Sequence, residues 1–171
     1  MIPVIQKILY ATDLSDNSAH AFRYAASLAK FYHAEIVILH VLEGVLPGSL
    51  DALNTYLGRN QLIQVLKEDI EKVIFRTKNR LRLFCERELK HDGQFQEKDI
   101  SIEVYGGYPA EEILKKTEEL NCDVIIMGTH GKGVLRHTFL GSVAEKVLQR
   151  SKIPVFVVPI PRGETSLTFH D

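Results

Sequence analysis

The chain holds only two cysteines, carries no excess of either charge, and has no apolar run near the length of a bilayer span. Cys85 and Cys122 stand far apart, with no CxxC partner and no metal-ligand spacing, and read as reduced thiols in a cytoplasmic protein. With 21 lysines and arginines against 22 aspartates and glutamates, the formal net charge is −1. No global field therefore points to nucleic acid or to an acidic membrane. The one basic cluster, Arg76, Lys78, Arg80 and Arg82 with Lys72 and Arg87 on either side, lies among Glu71, Glu86 and Glu88 and reads as the solvated face of a helix. Met1–Ile8 is too short for a signal peptide, and Lys7 and Asp13 interrupt its apolar run. Nothing approaches the roughly 20 apolar residues that a membrane helix needs.

What is present is an alternation of two apolar periods in a chain of 171 residues, long enough for one domain with one substantial core. Short continuous apolar runs at Ile8–Ala11, Ile36–Leu42, Val124–Met127 and Val155–Val158 suit strands buried on both faces of a parallel sheet, and Ile100–Tyr105 adds an alternating strand. Between them Ala19, Phe22, Ala25, Ala26 and Ala29 recur at helical spacing, with Ser15 or Asp16 placed to cap the first turn. A second helix opens at Pro109, where the missing N–H costs nothing, and a third begins near Ser142. Residues 43–98 form an insertion: a loop over 43–59, one long helix over 60–90, and a polar loop over 91–98. The residues 1–160 then make a single domain, and the polar tail 161–171 is expected to be flexible. The order predicts an α/β fold, a five-stranded, mostly parallel open sheet with helices on both faces. Ligands of such sheets sit at the carboxyl ends of the strands, which directs attention to Ala11–Asp13, Val41–Leu42 and Met127–Gly128.

The segment after the fourth strand reads GTHGKGVLRHTFLGSV. It is not a Walker A loop, because Val134 stands where the lysine belongs, and not a GxGxxG fingerprint, because Arg136 stands where the third glycine belongs. Its parts nonetheless suit phosphate. Gly128 at a strand end admits close approach, Gly131 and Gly133 permit a nest of N–H groups, and Gly141-Ser142-Val143 opens a helix whose first N–H groups and dipole favour an anion.

In spacing, Gly128, Gly131, Gly141 and Ser142 match G-x2-G-x9-G-[ST] at every fixed position, and the stretch GTHGKGVLRHTFLGSVAEKVLQRSKIPVFVVP resembles the signature of the universal stress protein family in its ATP-binding branch. Lys7–Asp13, Leu39–Leu42 and Gly107–Ile113 resemble the family's first strand, second strand and third crossover helix. The resemblance implies a Rossmann-like fold of the adenine-nucleotide alpha hydrolase type. It implies that Asp13 accepts the ribose hydroxyls, that the main chain at Val41 reads the adenine edge, and that Ala11, Thr12 and Met127 line the pocket. It places Gly128, His130, Gly131, Gly141, Ser142 and Val143 around the phosphates, with any Mg²⁺ or Mn²⁺ held through those phosphates. It also implies a homodimer through the last strand, Val155–Val158.

Several residues carry a second reading, among them His130, whose side chain can equally face solvent. Asp13 has an alternative use as a cap of the first helix, and His40, in an apolar strand, reads as a satisfied core or rim histidine. With no Walker B carboxylate and no dedicated lysine, at most slow hydrolysis is expected, so the reading is an ATP-dependent regulator or sensor with a protein partner. The alternative is a nucleotide-free scaffold that uses the long helix and the dimer surface.

Overall fold

The apolar runs become five strands, β1 (Lys7–Thr12), β2 (Glu35–Leu42), β3 (Ile100–Gly106), β4 (Val124–Gly128) and β5 (Val155–Val158). In the computed structural model the described residues are 2–45, 48, 52, 60–90, 99–130 and 140–159, with backbone alone at 60–62. The strands form one sheet in the order β3-β2-β1-β4-β5, and every pairing is parallel. Each strand extends the predicted apolar run by no more than a residue or two. The expected loops over 43–59 and 91–98 lie mostly or wholly outside the described residues, as do Gly131, Gly133 and the tail.

Four helices among the described residues cover the sheet. Helix α1 (Asp16–Tyr32) starts at Ser15, whose side chain accepts the Ser18 N–H, so the cap is Ser15 and not Asp16. It stops at His33, which adopts the left-handed conformation and returns its N–H to the Ala29 carbonyl. Helix α2 (Asn60–Leu89) is unbroken over 30 residues, about 45 Å at the usual rise. Helix α3 (Pro109–Glu119) carries proline in its first turn, and α4 (Ser142–Arg150) follows Gly141.

Alternation along the strands divides the core. Ile8, Tyr10, Ile36 and Ile38 meet Phe22 and Ala25 of α1 and Leu81 and Phe84 of α2 on one face. Leu9, Ala11, Val37, Leu39 and Val41 meet Ile113 of α3 and Ala144 and Val147 of α4 on the other. Asp123 sets the alignment of β1 against β4: its Oδ2 accepts the N–H groups of Gln6 and Lys7 at 2.7 and 2.9 Å, and its own N–H reaches the Lys7 carbonyl. Of the basic cluster, Arg76, Arg82 and Arg87 are exposed, whereas Lys78 and Arg80 are half-buried.

Both thiols are buried, Cys85 against the α1/α2 face and Cys122 against the α3/α4 face. Burial pushes the Cys85 thiol up to about 12 and the Cys122 thiol up to about 11, so neither is a thiolate near neutrality. Both are expected to react with a thiol-specific disulfide reagent only as fast as the protein opens. A native-state assay should show slow release of the reporter, and unfolding in denaturant should give both equivalents at once.

Candidate functional site

The first element of the site is the turn that leaves β1. Tyr10 is fully buried, and its hydroxyl donates to the Ser18 carbonyl at 2.5 Å; burial raises its pKa. Two residues on, the Thr12 hydroxyl lies 2.8 Å from that of Ser18 and accepts the Leu14 N–H at 3.0 Å. Leu14 has φ 63°, a left-handed conformation that costs a non-glycine residue about 1 kcal/mol or more. Asp13 Oδ1 accepts both the N–H and the hydroxyl of Ser15, at 3.1 and 2.6 Å. Asp13 thus bonds within the turn into α1, and the cap expected of it is supplied by Ser15.

The second element is the end of β2. His40 is 8% exposed, and its Nδ1 lies 2.8 Å from the Thr12 carbonyl. Past Leu42 the chain crosses the end of β3. The Gly107 N–H donates to the Leu42 carbonyl, and a Cβ built on Gly106 would stand 2.1 Å from the Val45 carbonyl oxygen. Only glycine gives room for that crossing, which brings Glu43 and Val45 to the site.

The third element joins β4 to α4. The Gly141 N–H donates to the Thr129 carbonyl at 2.8 Å, so the two ends of the 130–140 segment are held together. Gly141 is the N-cap of α4 and supplies no side-chain bond to the helix. The N–H groups of Ser142, Val143 and Ala144 in the first turn have no carbonyl of their own helix to meet, and with the helix dipole they favour an anion. A Cβ on Gly128 would meet the His130 and Asn17 backbone at 3.6–3.8 Å, ordinary contact distances, so this glycine is not required by packing.

These elements enclose a cavity of about 790 Å³ that straddles the carboxyl edge of the sheet. Ala11, Thr12, Asp13, Val41, Met127, Gly128, His130, Gly141, Ser142 and Val143 all line it. Of the residues expected at a site, Gly131 and Gly133 lie outside the described residues. The sequence reading missed the wall contributed by α2, formed by Leu66, Asp69, Ile70 and Val73, together with Ser18, His40 and Val45. Leu66, Ile70 and Val73 recur at helical spacing, which defines an apolar face but not what that face covers. Among the described lining residues Asp13, Glu43 and Asp69 are acidic and none is lysine or arginine. Among the described residues, an anion here would be met by N–H groups and a helix dipole.

Comparison with known proteins agrees with this architecture. Residues 5–159 match the profile of the universal stress protein family. Universal stress protein MJ0577 of Methanocaldococcus jannaschii is 33% identical over 162 residues, covering 92% of this chain and 97% of the relative. Its solved structure superposes with a TM-score of 0.65 over 95% of this chain and 100% of that one. A universal stress protein solved in complex with cAMP superposes with a TM-score of 0.59 at 21% identity, over 93% of this chain and 100% of that one. The universal stress protein from Archaeoglobus fulgidus in complex with dAMP superposes with a TM-score of 0.55, also at 21% identity, over 92% of this chain and 98% of that one.

The two glycines at the rim are expected to behave differently. Gly106→Ala forces the Val45 backbone away and should cost about 1–3 kcal/mol. Gly128→Ala meets only ordinary contacts and should cost less than about 1 kcal/mol. Urea unfolding of the two variants against the wild type measures the difference.

Proposed function

The chain belongs to the universal stress protein family, and on that premise we propose that it binds an adenine nucleotide, ATP first of all, across the carboxyl ends of β1, β2 and β4. The observation that carries this reading is convergence. Ten residues from four separate segments, 11–13, 41, 127–130 and 141–143, face one cavity at the sheet edge where an α/β fold holds its ligands. Universal stress proteins of this fold in complex with cAMP and with dAMP make an adenine nucleotide the first ligand to test.

In this reading the Asp13 carboxylate, oriented by Ser15, accepts the ribose hydroxyls. The main chain at Val41 meets the adenine edge, and Ala11, Thr12 and Met127 form the walls around it. Gly128, His130, Gly131 and the first turn of α4, from Gly141 to Val143, surround the phosphates. Gly128 admits the phosphate chain because it has no side chain, and the α4 N–H groups supply donors that need no reorganisation. A divalent ion, Mg²⁺ or Mn²⁺, would be held through the phosphates, since no cluster of three metal-ligating side chains occurs among the described residues. The described lining offers no cation to stabilise charge on a transferred phosphoryl group. The site suits holding a nucleotide over turning it over, and the protein acts as a nucleotide-dependent regulator in the stress response.

The same reading places the protein in the cytoplasm and makes it a homodimer. β5 ends the sheet, and Phe156 on it is 42% exposed, stacked on Tyr24 at 6.0 Å between ring centroids. An apolar edge strand of this kind is a template for pairing with a second copy.

Calorimetric titration with MgATP should show binding to the wild type and a loss of roughly tenfold or more in Gly128→Ala, which retains its fold. A flat titration of nucleotide-free wild type would overturn the reading. Phosphate release should stay below about one turnover per minute, and sustained turnover of several per second would make the protein an enzyme. Light scattering at micromolar concentration should return the mass of a dimer, and Phe156→Glu should return that of a monomer.

A further inference from the structure

We infer that His40 is a positioning residue for the ribose end of this site: its imidazole holds the peptide that carries Asp13, and so sets the reach of the carboxylate. The inference rests on the nucleotide reading above and adds to it a residue that no nucleotide motif marks.

Thr12 and His40 are the last aligned pair between β1 and β2. Beyond that pair β1 leaves the sheet through Leu14, whose positive φ must be sustained by its surroundings. Several bonds shape the turn from within. The Leu14 N–H meets the Thr12 hydroxyl, and the Ser15 N–H and hydroxyl meet Asp13 Oδ1. Those bonds join residues that move together, so they fix the form of the turn and not its place over the cavity. Among the described residues, Ser18 of α1, through the Thr12 hydroxyl, and His40 of β2, through the Thr12 carbonyl, tie it to other elements. His40 is 28 positions away in sequence, so its bond links the turn to a separate strand.

The chemistry of this bond is one-directional. A carbonyl oxygen only accepts, so Nδ1 carries the proton at the 2.8 Å contact. His40 is buried, so the contact is shielded from competing water. The acceptor belongs to the residue immediately before Asp13, so a small swing of that peptide displaces the carboxylate directly. His40 stands on the α1/α2 side of the sheet, while its neighbour Val41 faces the opposite side, yet both line the cavity. A satisfied core histidine would serve equally well with any partner. Here the partner is the hinge of the turn that presents Asp13.

Titrations with MgATP and with its 2′,3′-dideoxy analogue separate ribose contact from the rest of the site. Wild type should prefer ATP by roughly tenfold or more, as expected for a charged acceptor losing its donors. Asp13→Asn should collapse that preference. His40→Leu removes the donor at similar bulk and should collapse it too, with affinity for ATP falling by more than affinity for the dideoxy analogue. His40→Asn should restore most of the preference, because its amide nitrogen is bonded to Cγ as Nδ1 is. His40→Gln, whose donor lies one carbon further out, should behave like His40→Leu and serves if the leucine variant does not fold. The double variant Asp13→Asn with His40→Leu should lose no more than Asp13→Asn alone. A wild-type preference kept in His40→Leu or His40→Gln but lost in Asp13→Asn would overturn the role of His40 and leave the nucleotide reading intact. An equal fall in affinity for both ligands would mark His40 as merely structural. Binding of ATP with no preference in the wild type would remove the ribose contact of Asp13, and His40's role with it.

Discussion

From Ile8 to Tyr10 the backbone of β1 is paired with β2 along one edge and β4 along the other, and side chains through Thr12 are buried on both faces. A strand so enclosed has no access to water, so each polar group needs a dedicated partner inside the protein. Tyr10 meets that demand through the Ser18 carbonyl, and Thr12 through Ser18, Leu14 and His40. The same demand dictates where the strand stops. Past Thr12 the chain turns sharply, and the bonds that satisfy the turn also aim Asp13 at the cavity. The core of the fold and the rim of the site are thereby parts of one hydrogen-bonded arrangement.

Charge at the site is arranged without cationic side chains among the described lining residues. Three carboxylates border the cavity, while the donors suited to an anion are backbone N–H groups at the start of α4. Such donors are fixed by the helix and cost nothing to orient, but they do not follow a moving charge as a lysine or arginine would. Gly128 and Gly141 bring the backbone within reach, and the Gly141–Thr129 bond holds the two ends of the intervening segment against each other.

Much of this was legible in the chain. The runs Ile36–Leu42 and Val124–Met127 suited strands covered on both faces, because a surface strand would alternate. Pro109 and Gly141 marked two helix starts through their backbone chemistry, and the pair Ser15 and Asp16 marked a third, which the structure assigns to Ser15. The spacing of Gly128, Gly141 and Ser142 joined a strand end to a helix start, and both line the cavity. His40 was correctly read as a satisfied buried histidine, but its partner could not be found from sequence, since any carbonyl within reach would have satisfied it.

The sequence by itself determined the elements and their local chemistry, because apolar periodicity, capping and glycine spacing act between residues a few positions apart. Only the tertiary structure decided the strand order β3-β2-β1-β4-β5, the α2 wall of Leu66, Ile70 and Val73, the passage of Val45 over Gly106, and the bond from His40 to Thr12. Those contacts join segments distant in the chain. An amphipathic helix or a buried strand would look the same in sequence wherever it was packed, so their partners are set by which surfaces meet when the sheet is assembled.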